Sequence, residues 1–227
     1  MIDTVRGLKR EDVWDFENGF HWFTPLNRMH KLLAHYELYK MIVDLPGAIA
    51  EFGVFKGASL IRFATFRRLL ETDHSRKIVG FDAFGGFPSE GLDSKADRDF
   101  VKRFSEDAGD GLAKGELAAL LEAKGITNVE LVAGNVLDTL PAYLEANPHL
   151  RLAALHLDMD VELPTRLAFD LLYDRIVPGG LVIIDNYATV AGETDATDAF
   201  LADKIADRGV ALKKLPFTNI PTYFRKP

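Results

Sequence analysis

The chain contains no cysteine, and this absence excludes disulfide bonds, thiolate metal sites and a cysteine nucleophile together. It also lacks long apolar runs, since none of its hydrophobic stretches approaches the ~20 residues that a membrane-spanning helix needs. The first residues, MIDTVRGLKR, have no basic and apolar leader of the kind that directs secretion. We therefore expect a cytoplasmic protein.

An excess of positive charge is absent as well. The 227 residues include 34 acidic and 27 basic side chains, which give a formal net charge of −7. Because no global positive field attracts a polyanion, we expect neither nucleic acid nor a membrane surface as a partner. Hydrophobic residues make up 48% of the chain, which is ordinary for a globular domain with a sizeable core.

Strand-like and helix-like patterns alternate along most of the chain, which is typical of an α/β fold. The predicted strands are 48–54, 77–84, 129–135, 152–160 and 180–186, and the predicted helices are 28–44, 58–71, stretches within 97–124, 138–146, 162–175 and 194–207. This order predicts a mostly parallel sheet with helices on both faces. Two final strands, 211–217 and 222–227, flank a short turn and should add an antiparallel hairpin, for seven strands in all.

The first part of the chain, residues 1–45, is expected to be a helical extension of a single domain at 46–227. Its helix should place an apolar face against that domain, formed by Met29, Leu32, Leu33, Tyr36, Tyr39 and Ile42 or Val43. The aromatic stretch before the helix has two interpretations. It is a flap over an acceptor, or Trp22 and Phe23 dock onto the body or onto a second subunit of a homo-oligomer.

The sequence EFGVFKG, residues 51–57, joins the first long strand to the next helix through a turn with two glycines. Such a turn lets the backbone approach a ligand, and the helix that follows offers free N–H groups to it. The pattern E-x-G-x-x-x-G is similar to the first motif of class I S-adenosylmethionine-dependent methyltransferases. It departs at Phe55 and Lys56 from the G-x-G-x-x-G fingerprint of dinucleotide sites, so a nicotinamide enzyme is the weaker alternative.

Two further strand ends extend the predicted cofactor site. Asp82 ends the second strand, where an acid accepts both hydroxyls of a ribose, although an aspartate there is also typical of a turn. Residues 134–136 follow the third strand and are expected to border an adenine ring. The residues expected to contact S-adenosylmethionine are Glu51, Gly53, Val54, Phe55, Gly57, Ser59, Asp82, Ala83, Phe84, Gly134, Asn135, Val136 and Asp158.

Carboxylates stand at the carboxyl ends of the next two predicted strands. Asp158, Asp160 and Asp185 come at the carboxyl edge of the sheet, where ligands of open α/β folds bind. Carboxylates that converge repel one another unless they are protonated or bridged by a cation, and oxygen ligands suit Mg²⁺. The alternative is that Asp160 caps the helix at 162–175 and that Asp185 caps a loop.

In order and spacing, the segments AEFGVFKGAS, GFDAFGGFP, AGNVLDTLP, LDMDVELPT and PGGLVIIDNY resemble the macrocin O-methyltransferase family. Its members are metal-dependent enzymes that methylate sugar hydroxyls of macrolides and related natural products. The resemblance implies a class I methyltransferase (Rossmann-like) fold and methylation of a small hydroxylated acceptor with Mg²⁺. It also implies that Glu51 and Gly53 lie beside the methionine half of the cofactor. The alternatives are a methyltransferase with another acceptor and a cofactor-binding module that has lost catalysis.

The same resemblance implies that Asp158 and Asp185 bind the metal. Asn186 stands where the family has a second aspartate; its amide still offers an oxygen ligand, but with one negative charge fewer. The family's histidine base lies in the segment after the second strand. Here that segment, 84–115, has no histidine, and it is either a lid or a solvated surface loop.

A sugar hydroxyl is too weakly acidic to attack a sulfonium unaided, so the predicted reaction needs a base or a cation. The candidate catalytic residues are Asp158, Asp160 and His156. His156 shares a strand face with Asp158, but a histidine at that depth is more often a hydrogen-bonded core residue than a base. Asp160 serves as the base if it does not bind a metal.

Overall fold

In the computed structural model, which describes residues 2–206 and 209–227, a short hairpin precedes a seven-stranded sheet. The hairpin strands are β1 (Thr4–Val5) and β2 (Leu8–Lys9), and the sheet strands are β3 (Ala48–Phe52), β4 (Ile78–Asp82), β5 (Val129–Ala133), β6 (Leu152–Leu157), β7 (Ile176–Ile184), β8 (Lys213–Lys214) and β9 (Thr222–Arg225). The helices are α1 (Val13–Phe23), α2 (Leu26–Lys40), α3 (Ala58–Leu70), α4 (Lys95–Ala108), α5 (Lys114–Ala123), α6 (Val136–Ala146), α7 (Glu162–Leu172) and α8 (Ala191–Lys204).

The strand order is β5-β4-β3-β6-β7-β9-β8. The first five strands are parallel, β9 pairs antiparallel with β7, and β8 pairs antiparallel with β9. The predicted fold class is confirmed, including the hairpin at one edge. Because β3 has β4 on one side and β6 on the other, the order reverses at β3, and ligands of open sheets bind at such a reversal.

Side chains are buried on both faces of the sheet, which explains why its strands read as continuous apolar runs. On one face, Leu38 of α2 and Phe63 of α3 belong to the same buried cluster as Ile49 of β3. On the other, the rings of Phe169 in α7 and Phe200 in α8 stack with centroids 4.3 Å apart. Helices therefore cover both faces of the sheet, and the carboxyl ends of its strands remain available for a site.

Helix α2 buries most of the predicted face, since Tyr39 is 1% exposed and Leu32 and Tyr36 pack against the core. Leu33, which was placed on the apolar face, is 48% exposed, whereas His35 and Leu38 are fully buried. Part of the predicted extension therefore belongs to the core of the domain. The burial of His35 has a consequence for function, because Lys31 lies one helical turn before it on the same side of the helix.

Helix α1 has no buried residue. Trp22 and Phe23 are 69% and 81% exposed, so the body of the protein does not cover them, and docking onto a second subunit stays a prediction. The predicted helix 194–207 ends at Lys204, and its last predicted residue lies outside the described part of the chain. Among the described residues, no helix has both the length and the apolar character to cross a membrane.

Candidate active site

An open cavity of about 690 Å³ lies at the carboxyl ends of the five parallel strands. Small-molecule sites usually have volumes of ~300–1,000 Å³. The predicted cofactor residues that line the cavity are Gly53, Val54, Phe55, Ser59, Asp82, Ala83, Gly134, Asn135, Val136 and Asp158. The structure therefore brings the ends of β3, β4, β5 and β6 to one cavity, as the sequence predicts.

The two glycines of the first loop have separate structural reasons. Gly53 has φ +86°, and a Cβ there would lie 2.6 Å from the carbonyl carbon of Asp158 and closer still to its oxygen. Gly57 has φ +77°, directly precedes α3, and would place a Cβ 2.7 Å from Cδ1 of Leu117. Only glycine combines a left-handed backbone with such close approach. Gly53 thus allows the first loop to pack against the end of β6, and Gly57 allows the start of α3 to pack against α5.

Glu51, Gly57 and Phe84 do not line the cavity, which corrects part of the predicted cofactor set. The Glu51 side chain is fully buried, and its Oε1 accepts a hydrogen bond from the Ser59 hydroxyl. Burial raises the pKa of Glu51 to about 7, although the nearby His156 opposes this rise. Glu51 therefore connects β3 to the first turn of α3 beneath the cavity and does not reach a ligand inside it.

Asp82 connects the first two loops. Its Oδ2 accepts the backbone N–H of Phe55 at 2.8 Å, and its Oδ1 accepts that of Phe84 at 2.6 Å. This is the turn role that the alternative interpretation predicted. The carboxylate also lines the cavity, and each of its oxygens retains a lone pair for another donor. A role toward a ribose is compatible with the role in the turn.

Asn186 links the two acidic side chains that follow β6. Its Nδ2 donates to Oδ1 of Asp158 at 3.1 Å and to Oδ1 of Asp160 at 2.8 Å. Asp160 does not cap α7, since the first-turn N–H of Glu162 donates instead to Asp97 Oδ2 at 3.2 Å. The capping alternative for Asp160 is therefore excluded, and its carboxylate is directed to the cavity.

Asp160 has the features of a functional carboxylate. Its φ is +67°, a left-handed conformation that is uncommon for a residue with a side chain and that concentrates at functional sites. The residue is 7% exposed and lines the cavity. Burial and the charge of Asp185 raise the pKa of Asp160 to about 7. A group with that pKa exchanges protons readily near neutral pH.

Lys31 on α2 contacts this cluster, although sequence reasoning missed it. Its Nζ donates to Asp185 Oδ2 and lies 3.9 Å from Asp158 Oδ2. Burial opposes the charge of Lys31, but Asp158 and Asp185 outweigh burial and raise the pKa of Lys31. Burial likewise disfavours the Asp185 carboxylate, yet the charge of Lys31 holds the pKa of Asp185 well below its usual range. The two side chains form a buried ion pair at the cavity wall.

Two buried histidines lie next to the second oxygen of Asp185. Oδ1 of Asp185 lies 3.5 Å from Nε2 of His156 and 3.7 Å from Nε2 of His35. Burial lowers the pKa of His35 to about 4, so its imidazole is neutral near pH 7. Both rings are fully buried and neither lines the cavity. His156 was a candidate base, but the structure places it where it contacts Asp185 and cannot reach an acceptor.

The predicted magnesium ligands Asp158, Asp185 and Asn186 come together without forming a set of free oxygens. Asp185 is fully buried, with one oxygen at Lys31 and the other at the histidines. Asn186 presents its N–H groups to both neighbouring carboxylates. Since magnesium requires several oxygen ligands around one point, the arrangement does not fit the predicted metal.

The segment 84–115 forms one wall of the cavity, which supports the lid interpretation over the solvated loop. Phe87, Phe100 and Phe104 from this segment line the cavity. The ring of Phe104 lies 5.1 Å, centroid to centroid, from that of Phe55 in the first loop. The lid therefore brings aromatic faces, which suit sugars or flat rings, to the site.

Two arginines line the cavity near Lys31, and neither was predicted. Arg28 on α2 and Arg62 on α3 form no ion pair with a carboxylate in the part of the chain that the structure describes. Burial and the charge of Arg28 lower the pKa of Arg62. Two like charges on one wall without acidic partners favour an anionic ligand group.

Comparison with known proteins agrees with this geometry. A family model described as macrocin-O-methyltransferase (TylF) matches residues 4–226. A curated relative from Streptomyces olivaceus, 8-demethyl-8-(2,3-dimethoxy-alpha-L-rhamnosyl)-tetracenomycin-C 4'-O-methyltransferase, is 34% identical over 179 residues, which are 77% of this chain and 65% of the relative. The chain thus covers less than two thirds of the length of that relative.

Solved structures of methyltransferases are also similar to this chain. A crystal structure of CalS11, calicheamicin methyltransferase, has a TM-score of 0.75 and 29% identity, over 94% of this chain and 85% of that one. An apo structure of CalS11, described as TDP-rhamnose 3'-O-methyltransferase, has a TM-score of 0.66 and 26% identity, over 96% of this chain and 86% of that one. Both are similar to this chain over nearly its whole length.

Proposed function

The chain belongs to the macrocin-O-methyltransferase family, and from this premise we propose that it transfers a methyl group from S-adenosylmethionine to a sugar hydroxyl. One observation carries the proposal beyond the family. Asp160, a carboxyl with a pKa raised to about 7, lies in the same cavity as the glycine loop and Asp82. The cavity therefore combines a base with the residues expected to bind the donor.

In this proposal, Asp82 accepts hydrogen bonds from the ribose hydroxyls with the lone pairs that its backbone donors leave free. The loop at Gly53, which lines the cavity, lies against the methionine half of the cofactor. Residues 134–136 border the adenine ring. The donor methyl group then points toward the end of β6, where Asp158 and Asp160 lie.

The chemical step is an in-line displacement. The acceptor oxygen forms a bond to the methyl carbon, the bond from that carbon to sulfur breaks, and the sulfur keeps the electron pair as neutral S-adenosylhomocysteine. The hydroxyl proton passes to Asp160, whose raised pKa suits a base at neutral pH. Asn186 holds the carboxylate in place with its 2.8 Å hydrogen bond.

The acceptor that we propose is a rhamnose-like deoxysugar. Two relatives carry rhamnose in their descriptions, one as a glycoside and one as TDP-rhamnose. Arg28 and Arg62 form no ion pair with the described carboxylates and favour the phosphorylated form, because guanidinium groups bind phosphate with paired hydrogen bonds. The aromatic lid packs against the sugar ring.

Two measurements test the proposal. S-adenosylhomocysteine should raise the free energy of unfolding by about 2.7 kcal/mol at a hundredfold excess over its Kd, and the enzyme should methylate TDP-rhamnose. The control is Asp160→Asn, which should keep the thermal shift and lose turnover. No shift at millimolar S-adenosylhomocysteine would contradict donor binding. A normal shift with no transfer to either TDP-rhamnose or a rhamnosyl glycoside would indicate a cofactor-binding module instead.

A further inference from the structure

We propose that the ammonium group of Lys31 provides the positive charge of this site in place of a divalent metal ion, so that methyl transfer by this chain does not require magnesium. The catalytic part of this inference rests on the proposed function, whereas its metal-binding part is independent of it. The observation is the juxtaposition of Lys31 with Asp158 and Asp185 at the cavity wall.

The position of the ammonium group is the first argument. Lys31 Nζ donates to Oδ2 of Asp185 and lies 3.9 Å from Oδ2 of Asp158, so it occupies the space where a cation bridging the two carboxylates would bind. The Lys31 side chain is only 17% exposed. A lysine held this way loses little further rotamer freedom when substrate binds.

The second argument is that Asp185 offers no oxygen to a metal ion in the cavity, because the residue is fully buried and does not line the cavity. Oδ2 accepts the hydrogen bond from Lys31, and Oδ1 faces His156 and His35 at 3.5 and 3.7 Å. The aspartate is fully buried. Three residues from two other elements therefore surround Asp185, and loss of its carboxylate would leave the largely buried Lys31 ammonium to the more distant Asp158.

The third argument is the charge balance. Asn186 is neutral and donates to both Asp158 and Asp160, which reduces the repulsion between them without a metal. The single charge of Lys31 offsets one of the two carboxylates that it contacts. In the reaction, Lys31 donates a hydrogen bond to the acceptor oxygen as its proton passes to Asp160, and stabilises the negative charge that develops there.

Titration calorimetry with magnesium chloride alone tests the metal-binding part without any assay of methyl transfer. The wild-type chain should show no binding at millimolar magnesium. The double variant Lys31→Met with Asn186→Asp, which removes the ammonium and adds a carboxylate, should acquire binding. Submillimolar binding by the wild-type chain would overturn the proposal, and so would a double variant that is folded and binds no more tightly than the wild type.

Turnover tests the catalytic part. A chelator should leave wild-type turnover unchanged, and Lys31→Met should lower kcat on the order of a hundredfold, the cost of losing one donor to a developing oxyanion, with S-adenosylhomocysteine affinity unchanged. Lys40→Met in the same helix is the matched control, since Lys40 is exposed and forms its ion pair with Glu37, away from the cavity. Loss of wild-type turnover on chelation, restored by magnesium, would overturn the inference.

The two hypotheses fail in different ways. If neither acceptor is methylated by any variant, the proposed function fails, while the magnesium titration still decides the identity of the cation. If Lys31→Met does not fold because Asp185 is left unpaired, chelation and titration of the wild-type chain decide it. Lys31→Arg, which keeps the charge, should retain more turnover than Lys31→Met, and the reverse order would count against the proposed role.

Discussion

Replacing Gly53 by alanine is the sharpest test of how the first loop and the β6 end are coupled. The new Cβ would lie 2.6 Å from the carbonyl carbon of Asp158 and would meet its oxygen at an even shorter distance. Both groups are backbone, so neither can rotate away as a side chain would. The substitution must therefore separate the donor loop from the strand end that carries Asp158 and Asp160.

The size of the effect follows from two costs. Forcing a methyl group into a filled contact costs ~1–3 kcal/mol, and a left-handed backbone costs a residue with a Cβ roughly 1–2 kcal/mol. The sum is about 2 to 5 kcal/mol. In a chain of this size each kcal/mol lowers Tm by ~2–4 °C, so Tm should fall on the order of 10 °C. A displacement of about 1 Å should also cost about a hundredfold in turnover.

Thermal unfolding with and without S-adenosylhomocysteine, followed by turnover at a temperature where the variant is folded, measures both effects. The matched control is Gly115→Ala on α5, where a Cβ has no atom within 4 Å. That variant should be unchanged or stabilised by up to about 1 kcal/mol. If Gly53→Ala unfolds at the wild-type temperature and binds S-adenosylhomocysteine normally, the proposed coupling between the loop and β6 is refuted.

Two further predictions concern the chemistry and the acceptor. Because Asp160 must be ionised to accept a proton and its pKa is raised to about 7, kcat should rise with pH through about 7 and be lost below it. The variant Asp160→Glu should shift this pH profile. A flat profile between pH 6 and pH 8, roughly the range around such a pKa, would exclude Asp160 as the base. Arg62→Gln should raise KM for TDP-rhamnose about tenfold or more, as expected for loss of a charged hydrogen bond, and leave KM for a neutral rhamnosyl glycoside unchanged; equal effects on the two acceptors would exclude a phosphate contact.

Local patterns were sufficient for the elements of the sheet. The strands and the helices that connect them follow from alternating apolar periodicity, and the parallel order follows because parallel neighbours need a helical crossover. The face of α2 was predicted less well. Leu33 has an apolar side chain but is 48% exposed, while His35 is fully buried, since a helix turns the face that fits its neighbours and not always the most apolar one.

The residues of the candidate site were likewise predicted in part from the sequence. Asp82, Asp158 and Asp160 were predicted because each lies at the carboxyl end of a predicted strand, and parallel strands end at one edge. Glu51 was predicted from the E-x-G-x-x-x-G motif, but only the structure shows that its side chain is buried against Ser59 and does not face the cavity. The position of a residue along its strand gives the edge at which it lies, but it leaves open which neighbours surround the side chain.

The sequence by itself determined the α/β fold, the edge of the sheet that carries the site, and the glycines and acids that meet there. Only the tertiary structure decided which cation the acids meet. Lys31 and Asp185 are 154 positions apart, and no periodicity or motif relates residues at that separation. Their pairing depends on how α2 packs against the sheet, and because charge acts through space, that packing determines the electrostatics of the site.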